Sequence, residues 1–200
     1  MRGGSLPYCA MAIVVSETAE EIDAARREVC RTRGLGETFE FKHAKTHPSR
    51  KAWFMERMAR TSFTGIVVIY DKDAMDPPWA WGKNDELLAQ LLLRGLRHLP
   101  RAAIENAKMM IDGDAEAKKL GRMIRLLLSH DAEARGLDYR VAKIVSGDSK
   151  AHGPLQLADM IGGAAVEAWK QGVRETPLLR LVRGKVMIDV ITPDMEKPAT

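Results

Sequence analysis

Leu155-Gln156-Leu157-Ala158-Asp159-Met160-Ile161-Gly162-Gly163 is the stretch on which the reading of this chain turns. Gly153 and Pro154 open it as a helix start, and the pattern stays largely apolar to Lys170. At about 100° per residue, Leu155, Asp159, Gly162, Val166 and Trp169 share a stripe roughly 80° wide. Asp159 is therefore expected at the border of an apolar face, where an unpaired charge costs several kcal/mol. Protonation, a basic partner or a bound cation would answer it, and so would a purely structural arginine or backbone N–H. Gly162 and Gly163 each weaken a helix by roughly 1 kcal/mol, a cost that makes sense where something approaches closely.

Working outward, Leu6 to Val15 reads as a strand, and Ser16 as the cap of a helix carrying Ile22, Ala25 and Val29 and stopped by Gly34. Thr38 to Lys42 alternates like a short strand or an extended lead-in, and residues 49–61 form a helix with Trp53, Met55 and Met58 apolar. Gly65 to Tyr70 is a buried strand, and Asp76-Pro77-Pro78-Trp79 must be a loop. A leucine-rich helix over 84–97 is followed by a strand at Lys108–Asp112, a helix at Ala115–Leu128, a strand at Tyr139–Val145 and a short strand at Lys185–Ile191. Strands alternating with helices predict an α/β fold with one sheet flanked by helices. No repeat or linker divides the chain, so residues 1–192 are read as one domain and 193–200 as a mobile tail.

The composition narrows the classes. Of 200 residues, 46% are hydrophobic and 29% charged, which is globular usage rather than disorder. No apolar run reaches the ~18 residues of a membrane span, and Cys9 and Cys30 cannot build a disulfide framework or a four-thiolate zinc site. A cytoplasmic protein without a membrane partner is expected. The net charge is +4, but its distribution is uneven. Lys42, Lys45, Arg50, Lys51, Arg57 and Arg60 face only Glu40 and Glu56 over residues 40–60, and a second basic surplus lies between Lys170 and Lys185. Such stretches receive phosphates or simply form solvated helix faces.

No C-x-x-C, H-E-x-x-H, P-loop or G-x-S-x-G motif occurs. His43, His47 and His152 read as surface or capping residues. The carboxylates carry more. Asp112 ends an apolar strand, where α/β sheets place ligands, although Asp112-Gly113 is also a turn signal. Alternation points Glu40 away from Phe39 and Phe41, and Asp71 and Asp73 end the Ile66–Tyr70 strand. One chemistry needs acids from separate elements. Two divalent cations about 3.5–4 Å apart, held by oxygen ligands, activate water and stabilise a leaving oxygen at a phosphodiester.

The order Glu40-Phe41-Lys42, Met110-Ile111-Asp112, Asp148-Ser149-Lys150 and Leu155-Gln156-Leu157-Ala158-Asp159 resembles an RNase H-like family known as domain of unknown function 3800, over roughly residues 5–172. The resemblance implies an RNase H-like mixed sheet and a divalent-metal-dependent nuclease or phosphodiesterase. Glu40, Asp112 and Asp159 would be catalytic carboxylates holding Mg²⁺ or Mn²⁺. Lys42 and Lys150 would be phosphate-facing or structural cations, and Lys45, Arg50 and Lys51 would track the nucleic-acid backbone. Members of that family begin with a strand ending Asp-Glu-Ser-Gly, which supplies a central ligand. This sequence reads instead as starting at the following turn, Arg2-Gly3-Gly4-Ser5. The sheet is then expected to lack its first strand and the site one of four acids, with little or no catalysis. The alternative is a non-catalytic nucleic-acid-binding or interaction module on the same fold.

Overall fold

A computed structural model describes residues 7–72, 84–113, 115–134 and 141–191. Its organising strand is β2 (Thr64–Asp71), whose TGIVVIYD sequence is buried from Gly65 to Tyr70. A β-branched run of this kind suits a position covered on both faces. β1 (Tyr8–Val15) pairs antiparallel along one edge of β2, with Tyr8 opposite Asp71 and Val15 opposite Thr64. On the other edge lies β5 (Val186–Ile191), parallel to β2. β3 (Lys108–Asp112) and β4 (Lys143–Gly147) form a separate parallel pair.

The chain is thus mixed α/β, but its described strands make two sheets of three and two strands, not the single sheet expected. The pattern of apolar residues identifies strands. It carries no information on which edges meet, and β1 and β3 share no ladder.

Helices cover these sheets. α1 (Ala19–Thr32) buries Ile22, Ala25 and Val29, the expected stripe, and ends before Gly34, whose φ of +62° suits a residue without Cβ. Its N-cap is Thr18, not Ser16. The Ser16 hydroxyl accepts the Thr18 N–H and donates to the Ser62 carbonyl, so Ser16 ties the turn to β2's lead-in. α2 (Pro48–Met58) starts with proline, and its N-cap His47 accepts from the Ser49 N–H. It buries Phe54, Met55 and Met58, while Trp53 stays half-buried beneath the Arg33 guanidinium. α3 (Asn84–Leu96) lies on β1 and β2, α5 (Ala115–Ala134) lies on β4, and the two helices pack together through Leu92, Leu93, Leu96, Leu120, Ile124 and Leu128. α6 (Gly153–Lys170) crosses the larger sheet. Two short helices, α4 (Arg101–Ile104) and α7 (Pro177–Leu181), escaped the sequence reading because one turn shows no period.

Two expected elements move. Thr38–Lys42 joins no ladder, and the strand expected at Tyr139–Val145 is β4, ending later at Gly147. Asp73, the Asp76–Trp79 loop, the turn at residues 2–5 and the 193–200 tail lie outside the described residues.

The larger core lies between the three-stranded sheet and α1, α2 and α6. In it Phe41 stacks on Phe54 at 4.5 Å between centroids, with Phe39 edge-on to Phe41 at 4.9 Å. An aromatic stack therefore holds the unpaired 39–42 segment where a ladder does not. Arg94 of α3 grips Asp189 of β5 through two guanidinium nitrogens at 2.6 and 3.0 Å, with His98 2.8 Å away. Burial pushes the Asp189 carboxyl up, but these partners outweigh it and hold it below the ordinary range.

Phe54→Ala should cost about 3–5 kcal/mol. Urea denaturation will read the loss, and a change below 1 kcal/mol would contradict the packing described.

Candidate functional site

Three elements bring acids together at the amino-terminal half of α6. Its buried face is Leu157, Met160, Ile161, Ala164, Ala165 and Ala168. The stripe expected to be apolar (Leu155, Asp159, Gly162, Val166, Trp169) lies beside it, and only Val166 of those five is buried. Asp159 is exposed, so the cost of burying its charge does not arise. Its Oδ2 accepts the His43 N–H at 2.6 Å. The two glycines do receive close neighbours. A Cβ on Gly162 would stand 3.0 Å from Ala12, and one on Gly163 would collide with the His43 ring.

The 40–43 segment is fastened by Gln156. Its side chain is 1% exposed and faces two loops at once. Its amide oxygen accepts the Phe41 N–H at 3.0 Å, and its amide nitrogen donates to the Ser149 carbonyl at 2.7 Å. Ser149, itself buried, joins two of the acids: its hydroxyl donates to Glu40 at 2.5 Å and its N–H to Asp112 Oδ1 at 3.3 Å. The turn carrying it is shaped by Asp148, whose Oδ1 accepts the Lys150 N–H. At α6's first residue, the Gly153 N–H donates to Asp23 of α1.

The cation that joins this cluster is Lys42. Lys42 Nζ lies 3.0 Å from Glu40 Oε1. The bond to Glu40 raises the Lys42 pKa above its ordinary value, with Asp112 and Asp159 adding to it. Burial pushes the Glu40 carboxyl up, yet the Ser149 hydroxyl and Lys42 outweigh it, so Glu40 titrates below the usual carboxylate range. His43 is half-buried, with Nε2 3.4 Å from Glu167 but not aligned as a hydrogen bond. Burial and Lys51 push its imidazole below the ordinary value, against the pull of Glu167 and Asp159.

The other basic residues scatter around this centre. Lys150 is exposed and acts electrostatically on Glu40, Lys45 is exposed on the turn after Lys42, and Arg50 lies over the Phe39 ring. In the second basic stretch, Arg183 is bound to Glu175 and Lys170 rests on Tyr8. Asp71 stays at the end of β2, away from the cluster.

Beside the cluster, a cleft of ≈ 1620 Å³ separates the two sheets. Asp112, Asp159, Gly162 and Gly163 line it, together with Ala10 to Val15 and Leu88, Leu92 and Leu96. Carboxylates along its wall, among them Asp23 and Glu167, outnumber the lysines, which are Lys108 and Lys170.

The donor set is one a hard divalent cation takes: carboxylate oxygens plus the Ser149 hydroxyl. Among the described residues no group of three His, Cys, Asp or Glu is drawn together enough to hold a metal ion. No described helix is long and apolar enough to cross a membrane. No protein-family model, no curated protein and no solved structure matches the chain. Ser149, Gln156 and His43 are the site residues that sequence reasoning missed. Ser149 and Gln156 stand inside quoted motifs, but nothing in a linear pattern shows that one serine spans two acids.

Gln156→Leu strands the buried Phe41 N–H and Ser149 carbonyl, and should cost on the order of 1–3 kcal/mol for each. A second expectation concerns pH. The unfolded chain protonates His43 more readily than the folded one, so stability is full above the ordinary imidazole value of about 6.5 and falls as pH drops through the folded value. Urea midpoints at pH 7.5 and 5.5 should show this decline, and His43→Leu should flatten it. An equal decline in the variant would remove His43 as a contributor.

Proposed function

We propose that this chain is a divalent-metal-dependent nuclease or phosphodiesterase of RNase H-like type. The observation that carries the reading is that Glu40, Asp112 and Asp159 come from three separate elements into one neighbourhood, the first two joined by Ser149 and the third held by the His43 N–H beside Lys42. Asp112 and Asp159, 47 residues apart, both line the acidic cleft, and Glu40 is tied to Asp112 through Ser149. Such a rim repels phosphate until cations neutralise it. Mg²⁺ or Mn²⁺ would be held by Glu40, Asp112 and Asp159, and when bound would supply charge stabilisation and water activation at the phosphodiester. The chain's own part is to hold Glu40 ionised, which its contacts with the Ser149 hydroxyl and Lys42 favour. Lys45, Arg50, Lys51 and Lys150 lie beside the cluster and suit the flanking nucleic-acid backbone. A mixed three-stranded sheet with helices packed on it is in keeping with the RNase H-like reading, while the β3–β4 pair forms a sheet of its own.

A second reading draws on the same lysine. With Lys42 occupying the centre of the acids, the chain would be a nucleic-acid-binding module that needs no metal.

Mn²⁺ titrated calorimetrically into the chain should bind, Asp159→Asn should weaken it at least tenfold, and Lys42→Met should tighten it by about tenfold, the scale of one like charge removed a few ångströms away. Labelled DNA and RNA strands should be bound with an affinity that weakens steeply with salt, and the slow cleavage expected of the wild type with Mg²⁺ should vanish in Asp159→Asn. Retained binding without metal dependence and without cleavage would favour the module. Neither metal binding nor nucleic-acid binding in any variant would end both readings.

A further inference from the structure

The cleft between the sheets has a feature that neither a metal site nor a phosphate track explains. Every residue from Ala10 to Val15 and every residue from Ala107 to Asp112 lines it. Successive strand residues point to opposite faces, so an unbroken run of lining residues means that the strand's edge, not one face, borders the space. Two sheet edges therefore look into one cleft. Among the described residues β1 is paired along its β2 side only, with no residue of it fully buried, and β3 is paired along its β4 side only. Among the described residues no backbone hydrogen bond reaches the outer edge of either strand.

We propose that this cleft is a strand-acceptor groove, taking an extended peptide that is apolar on both faces and flanked by lysine or arginine. The argument for that occupant is chemical. An edge strand presents alternating N–H and C=O groups, and only another extended backbone offers the complementary row. Here two such rows line one space, so an inserted strand has an unpaired edge to meet on either side. The walls set its side chains. Leu88, Leu92 and Leu96 of α3 and Leu155, Ala158, Gly162 and Val166 of α6 line the same cleft. A strand covered by helices on both faces is a nearly continuous apolar run. Ala158 and Gly162 leave room for its larger side chains, whereas the α3 leucines call for smaller, β-branched ones. β1 has eight residues and β3 five, which fixes the paired length at about five to eight. The acids that rim the cleft, Asp23, Asp112, Asp159 and Glu167 among them, attract basic termini and repel acidic ones. At ≈ 1620 Å³ the space also exceeds the roughly 300–1,000 Å³ of a small-molecule pocket.

Hydrogen exchange of the full chain tests this, with the peptide Lys-Lys-Val-Leu-Val-Leu-Val-Leu-Lys-Lys as probe. Saturating peptide should slow exchange at least about tenfold at cleft-facing amides in both Cys9–Val15 and Met109–Ile111. The same peptide with its two central residues changed to proline should protect neither edge. Equal protection by the proline peptide, protection of one edge alone, or none at all overturns the proposal. So does protection of both edges that rises with protein concentration in the absence of peptide, because the occupant is then a second copy. The readout needs no metal and no cleavage, so it stands or falls apart from the nuclease reading.

Discussion

One buried amide side chain organises the chemistry of this molecule. Gln156 accepts from Phe41 and donates to Ser149, and by doing so stitches a segment near residue 40, a turn near residue 149 and the start of α6 into one unit. A buried amide is costly unless it is satisfied, and a satisfied one permits few alternative arrangements. Everything that matters at the acids follows from that constraint. With Phe41 fixed from below by the Phe54 stack and from the side by Gln156, Glu40 is directed at Ser149 and Lys42 at the acids. With His43 next in line, its N–H falls on Asp159 and its ring on Gly163, where no Cβ intrudes.

The electrostatics of the cluster centre on one half-exposed lysine. Glu40 holds the Lys42 ammonium at 3.0 Å, and the charges of Asp112 and Asp159 add to its field. Such a lysine keeps its charge hydrated while its stem lies along the surface. Along the cleft itself the acidic side chains outnumber the basic ones.

The architecture separates stability from this site. The larger core, under α1, α2 and α6, and the smaller core, between α3, α5 and the β3–β4 pair, are each apolar. Between them lies the cleft, bordered by strand edges. The Arg94–Asp189 pair links α3 to β5, so the helix that walls the cleft is anchored to the larger sheet. The acids sit where these parts meet, at the carboxyl end of β3 and the first half of α6, with Glu40 supplied by a segment that has no ladder of its own.

Periodicity was enough to recover most of the elements. The α1 stripe, the buried β2 run, β3 at Lys108–Asp112 and α6 from Gly153 to Lys170 follow from local rules of burial, capping and alternation, which act over a few residues. The candidate acids Glu40, Asp112 and Asp159 were legible as residues for the same reason. Their meeting was not, because it depends on Ser149 and Gln156 bridging segments more than a hundred positions apart. The stripe through Asp159 was misassigned because a helix with two usable faces shows its period but not which face the sheet takes. Strand edges are the clearest case: a strand's own residues determine that it is extended and which side chains alternate. Whether its backbone donors find a neighbour is a property of the whole chain's packing, so only the tertiary structure decided that β1 and β3 would border a common space.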